Sequence, residues 1–185
     1  IDFFAFRQEI NMDSLALYGI SIGGYFATRA AAFEPRIKAL IANSPIVDVY
    51  AYLVSFVGED PETIPDEYDF TVEDLPHIPD STLPAELKVR TEQLMIRYGR
   101  HSFKQTFAYL KEFKVGSAIE QIKCPSLALI GVSEGKEPEN QFNKFCDMLD
   151  AESHRFNDFE GAGTHCQVGN VSYANAVTYD WLDAL

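Results

Sequence analysis

Apolar residues fall along this chain in two rhythms, and the places where one gives way to the other divide it. Residues 15–18 form an unbroken apolar run closed by Gly19, the pattern of a short strand buried on both faces. From Ile22 the spacing turns helical through Tyr25, Phe26, Arg29, Ala30 and Phe33, until Pro35 forces a stop. Residues 37–42 are again a buried-strand run, so residues 1–45 predict one β-α-β unit with its two strands parallel. Ahead of it, Phe3, Phe4, Phe6 and Arg7 into Ile10 read as a helix entered part-way, which predicts a chain clipped at its front.

Residues 46–120 change character. Val49, Tyr52, Leu53 and Phe56 share a helical face closed by Gly58, and Leu87, Leu94 and Tyr98, then Phe103, Phe107 and Leu110, predict two further amphipathic helices. Between them residues 59–80 hold nine acidic side chains and four prolines, which predicts a mobile or extended solvated loop. The β/α alternation resumes over residues 121–185: a strand at 126–132, a helix at 140–149, a short strand at 154–159, and a last helix with Val171, Ala174, Val177, Trp181 and Leu185 on one face. The expected architecture is therefore α/β: a mostly parallel sheet interrupted by a helical cap over residues 46–120. Such sheets place ligands at the carboxyl ends of their strands.

Composition removes several classes of function. The 185 residues suit one domain with an inserted lobe, at roughly 150 residues per domain. Fifteen Lys and Arg against 28 Asp and Glu give a formal charge of −13, which excludes a basic footprint for nucleic acid or for anionic membrane. No apolar run approaches the roughly 20 residues needed to span a bilayer. Cys124, Cys146 and Cys166 cannot all pair and lack metal-site spacing, so no metal, no cofactor and a reducing cytoplasmic location are expected.

Chemistry concentrates at the first change of rhythm. Gly19-Ile20-Ser21-Ile22-Gly23 is a G-x-S-x-G pentad between a buried strand and a helix, the context of a nucleophile elbow. A serine held on so sharp a turn needs small neighbours, here Gly19 and Gly23, with Gly24 letting the helix sit close to the strand. Ser21 as a plain helix N-cap is the alternative. A serine hydroxyl needs a base within reach and an acid to orient that base, and in this arrangement both lie downstream, acid first. Glu134 follows the strand at 126–132 and is the expected acid, with Glu137 as competitor. His165 follows the last short strand through Gly161-Ala162-Gly163-Thr164, a flexible loop able to swing an imidazole over Ser21, and is the expected base. His77, His101 and His154 read as surface or capping residues, and Cys166 as a small buried thiol.

The elbow through Tyr25, the segment Glu34-Pro35-Arg36-Ile37, Cys124-Pro125 before a strand, and Gly163-Thr164-His165-Cys166-Gln167 with Asp180-Trp181-Leu182 resemble one α/β-hydrolase group. That group contains the bacterial fermentation-respiration-switch esterases, dihydroxypseudooxynicotine hydrolase and fungal hydrolases that shorten pigment polyketides. The resemblance implies a Ser21, Glu134, His165 triad, an oxyanion hole built in part from the Ile22 backbone N–H, and a pocket beneath a helical cap. Related enzymes often carry Asp where this chain has Glu134, which leaves Glu137 open. It further implies four strands and a second oxyanion donor before the elbow. Only 20 residues precede Ser21, so the chain is expected to need a missing N-terminal part of the fold, its first strand lacking a neighbour. The expected function is a serine hydrolase that opens an ester or similar acyl compound through an acyl-enzyme. Cleavage of a carbon–carbon bond in an aromatic ketone or polyketide, or a non-catalytic binding role, are the alternatives. The expected partner is a small molecule compatible with aromatic walls, and a homo-oligomer remains open.

Overall fold

The computed structural model describes residues 1–185, which divide into two compact units, Ile1–Val49 with Lys114–Leu185, and Tyr50–Phe113. The second is shorter than the segment expected over residues 46–120, because residues 46–49 and 114–120 belong to the sheet unit.

The first unit is a four-stranded parallel sheet in the order β1 (Ala16–Ile20), β2 (Ala39–Asn43), β3 (Ser126–Gly131), β4 (Glu152–Phe156). Helices α1 (Ile22–Phe33), α5 (Lys136–Leu149) and α6 (Val171–Asp183) belong to the same unit. Every residue of β2 and β3 is buried, as their continuous apolar sequence requires of central parallel strands. Ile41, Leu127, Leu129 and Phe156 pack with Ala174 and Trp181 of α6 in one cluster, each fully buried large side chain contributing about 1.5–3 kcal/mol relative to exposure. β1 differs from expectation. It runs on through Gly19 to Ile20 and is only half-buried, because β2 is its sole neighbour in the sheet.

The front of the chain also differs. Only a 3-10 turn forms at Phe4–Phe6, where the expected helix would run on to Ile10, and none of its residues is buried. A short helix draws its stability from packing an apolar face, and Phe6 is 88% exposed.

The second unit holds α3 (Ala85–Tyr98) and α4 (Phe103–Leu110), and α2 (Val49–Val57) runs into it from the sheet. Gly99 ends α3 in the left-handed conformation at φ 61°, and the Ser102 side chain caps α4. Met95, Phe103, Phe107 and Leu110 are buried, and Phe70 stacks on Phe103 with centroids 4.9 Å apart. The acidic stretch is built rather than extended: it forms 3-10 turns at Pro61–Thr63, Asp66–Tyr68 and Leu75–His77. Its carboxylates act as backbone acceptors, Asp74 Oδ2 taking the Thr71 N–H at 2.8 Å within the stretch and Asp69 Oδ1 the Lys104 N–H at the start of α4 at 3.0 Å. No helix is long and apolar enough to cross a membrane.

Candidate active site

Four strand ends converge on one edge of the sheet unit. Because the strands are parallel and in register, Ile20 opposite Asn43 and Gly131 opposite Phe156, the segments that leave them emerge side by side. Ser21 leaves β1, Ser44 leaves β2, Glu134 lies three residues past β3 and His165 nine past β4.

Ser21 sits at φ 57°, ψ −130°, a left-handed conformation that costs a non-glycine residue of order 1–3 kcal/mol. The turn is held by its neighbours: Ser21 N–H donates to the Asn43 carbonyl at 2.6 Å, and Gly24 N–H to the Ser21 carbonyl at 2.8 Å. The side chain makes no helix-capping bond, so the N-cap alternative does not hold. Its Oγ instead lies 2.8 Å from His165 Nε2. The glycine argument shifts by one position. A Cβ on Gly19 would stand 2.2 Å from the Gly23 carbonyl oxygen and one on Gly24 2.2 Å from that of Ser44, whereas at Gly23 nothing lies within 4 Å. Close approach therefore demands Gly19 and Gly24, and not Gly23. Ile22 opens α1, where the first amides have no carbonyl within the helix to bond.

On the far side of the imidazole, His165 Nδ1 lies 2.6 Å from Glu134 Oε2. The Glu134 side chain is 1% exposed, and its remaining lone pairs take the Gly131 N–H at 2.9 Å and the Ser44 hydroxyl, which stands 2.7 and 2.6 Å from its two oxygens. Burial alone would raise the carboxyl pKa. The hydrogen bonds from His165, Gly131 and Ser44 outweigh it, and the group is held below its ordinary value. Glu137 is elsewhere, on the first turn of α5, where it accepts from Gln141 Nε2 at 2.8 Å. His165 itself is pushed up to about 10, first by Cys166 Sγ, 3.2 Å from Nε2, then by Glu134, against desolvation.

The loop that carries His165 is packed, contrary to the expectation of a swinging loop. Ala162 is fully buried, Ser133 N–H donates to the Gly163 carbonyl at 2.9 Å, and Ser133 Oγ to the Asp158 carboxylate at 2.8 Å. Gly131 and Gly163 are there for contact, since a Cβ on Gly131 would stand 2.2 Å from the Gly163 oxygen and one on Gly163 1.9 Å from Asp158 Oδ1. Acid loop and histidine loop are thus clamped together. His154 stands apart, its ring packed against Phe156 and Tyr173. Sequence reasoning missed Ser44, and it read Cys166 as a buried thiol where the structure leaves it half-buried with Sγ 3.2 Å from His165 Nε2. Cys166 carried a signal in its adjacency to His165; Ser44, 90 residues from Glu134, carried none.

A parallel sheet with a strained serine on a strand-to-helix turn, and a histidine and carboxylate arriving from later strand ends, defines the α/β-hydrolase fold. Solved structures agree. GrgF from Penicillium sp. sh18, an α/β hydrolase, superposes with a TM-score of 0.64 at 18% identity over 99% of this chain and 68% of its own, and 2,6-dihydroxy-pseudo-oxynicotine hydrolase with 0.64 at 21% over 98% and 42%. Among curated proteins, the α/β hydrolase psoB of Aspergillus fumigatus is 28% identical over 197 residues, 95% of this chain and 42% of the relative, so the chain spans under half of that relative's length. No family model matches it. The chain has the α/β-hydrolase fold and is similar in sequence to curated α/β hydrolases.

Proposed function

We propose that this chain carries the nucleophile, base and acid of a serine hydrolase acting on a carbonyl substrate. The observation that supports it is the continuous path Ser21 Oγ, His165 Nε2, His165 Nδ1, Glu134 Oε2, with steps of 2.8 and 2.6 Å, the nucleophile–base–orienter geometry of acyl transfer. Ser21 attacks the carbonyl carbon as His165 takes its proton. Negative charge gathers on the carbonyl oxygen facing the Ile22 N–H, and the imidazolium is held by Glu134. The leaving group departs with the proton returned by His165. Water, activated by the same imidazole, then releases the acyl group from Ser21.

A carboxylic ester is the substrate class this path serves most directly, since its leaving alkoxide needs only the one proton His165 carries. Cleavage of a ketone's carbon–carbon bond would send that proton to carbon instead. Labelling by a fluorophosphonate, located by peptide mass spectrometry, should fall on Ser21 and vanish in Ser21→Ala. Unchanged labelling of that variant would overturn the reading. A panel of aryl esters and β-diketones then separates the two leaving groups.

A further inference from the structure

We propose that Ser44 is a positioning residue of the triad, its hydroxyl fixing the plane of the Glu134 carboxylate that His165 faces. The inference rests on the hydrolase reading above and deepens it.

The last torsion of a glutamate is broad and nearly two-fold, so a carboxylate held at one oxygen can rotate about its axis. His165 Nδ1 holds only Oε2, and the Gly131 N–H only Oε1. Each of those contacts holds a single oxygen; Ser44 Oγ alone spans both, 2.6 Å from Oε2 and 2.7 Å from Oε1, and adds a third anchor against rotation. A hydroxyl has one proton, shared here between two anionic oxygens, so Ser44 acts on the carboxylate as a donor.

The hydroxyl can do this because its own backbone is tightly packed. Ser44 is 1% exposed, and its carbonyl oxygen lies against α1 so closely that a Cβ on Gly24 would come within 2.2 Å. The preceding carbonyl, of Asn43, accepts the Ser21 N–H at 2.6 Å and lies 3.5 Å from Cys166 Sγ. Two consecutive residues at the end of β2 therefore touch the nucleophile turn, the acid and the histidine loop. An error in the height of β2 would displace all three, whereas loss of the Ser44 hydroxyl alone would loosen only the acid.

A residue that acts through Glu134 has no effect once Glu134 can no longer do its work, which separates positioning from mere packing. The rate of Ser21 labelling by a fluorophosphonate is measured for the full chain, Ser44→Ala, Glu134→Gln and the double variant. Ser44→Ala is expected to slow labelling about 10- to 100-fold, the range found for partners that orient a histidine from behind, and to change it less than about threefold in the Glu134→Gln background. Where a substrate is in hand, the loss should fall on kcat with KM within about twofold. Equal slowing in both backgrounds, or labelling of Ser44→Ala at the unsubstituted rate, overturns the inference and leaves the hydrolase reading standing. Failure of the unsubstituted chain to label at Ser21 overturns the reading itself. Should Ser44→Ala not fold, Ser44→Cys keeps the volume with a weaker donor: slowing that disappears in the Glu134→Gln background supports positioning, and slowing that persists there overturns it.

Discussion

In the proposed hydrolase Ser21, His165 and Glu134 divide one task unequally, and substitutions should expose the division. Ser21→Ala removes the nucleophile and should abolish both probe labelling and turnover. Glu134→Gln keeps the shape of the acid but offers His165 Nδ1 an uncharged partner, and should cost on the order of 10³–10⁴ in kcat; Glu137→Gln, whose carboxylate is engaged with Gln141, should stay within about twofold. Steady-state kinetics on an aryl ester checks the contrast, and the opposite order would reassign the acid. The imidazole must be unprotonated to accept the Ser21 proton. Since Cys166 and Glu134 raise its pKa above the usual 6.5, turnover should still be climbing with pH well beyond neutrality. Cys166→Ala removes the largest contribution and should move that rise to lower pH. A pH profile of kcat fixed in place by the substitution would count against the sulfur's part.

At the scale of elements, the tightest constraint lies where α1 crosses the end of β1 and β2. Gly19→Ala would drive a methyl group into the Gly23 carbonyl and the Ala27 Cβ, 2.2 and 2.6 Å away, and neither backbone can yield without moving Ser21. A loss of about 1–3 kcal/mol or more is expected in chemical denaturation. Gly23→Ala meets nothing within 4 Å and should be neutral or stabilising by up to about 1 kcal/mol, since alanine suits a helix better. The pentad alone treats both glycines alike, and the distinction needs the position of Ala27. What could be read from residue order was local: a strand, turn and helix around Ser21, a carboxylate and a histidine past later strands. The half-buried character of β1 could not be read from its apolar run alone, because such a run does not state how many neighbours the strand will have. Nor could the packed histidine loop, where Gly161-Ala162-Gly163 suggests flexibility and the contact of Gly163 with Asp158 supplies rigidity. The acidic stretch misled for a related reason. Composition marks it as solvated, while its turn hydrogen bonds depend on which acid faces which N–H.

For the molecule as a whole, the pair of buried Glu134 and half-exposed His165 sets a pH window. Glu134 is lowered from 4.5, so its contribution to stability is complete above that value and fades as pH falls through the folded-state pKa. His165 is raised from 6.5, so its contribution is complete below that value and fades as pH climbs toward about 10. The pair therefore stabilises fully between about pH 4.5 and 6.5, and the proposed turnover is expected to be fastest above that range. Thermal melting across pH should show this plateau, and Glu134→Gln should flatten it. The same sheet unit also decides how the chain departs for residues 50–113. Val115 N–H donates to the Val47 carbonyl at 2.9 Å, Lys114 Nζ meets Asp48 Oδ2 at 2.8 Å, and the carboxamide of Gln141 bonds the Val47 and Asp48 amides at 2.9 and 3.0 Å. Exit and return are thus fastened to each other and to α5 before the insertion begins. A segment joined at one closed doorway leaves the register of the strands that carry Ser21, Glu134 and His165 set by bonds outside it, whatever its own length.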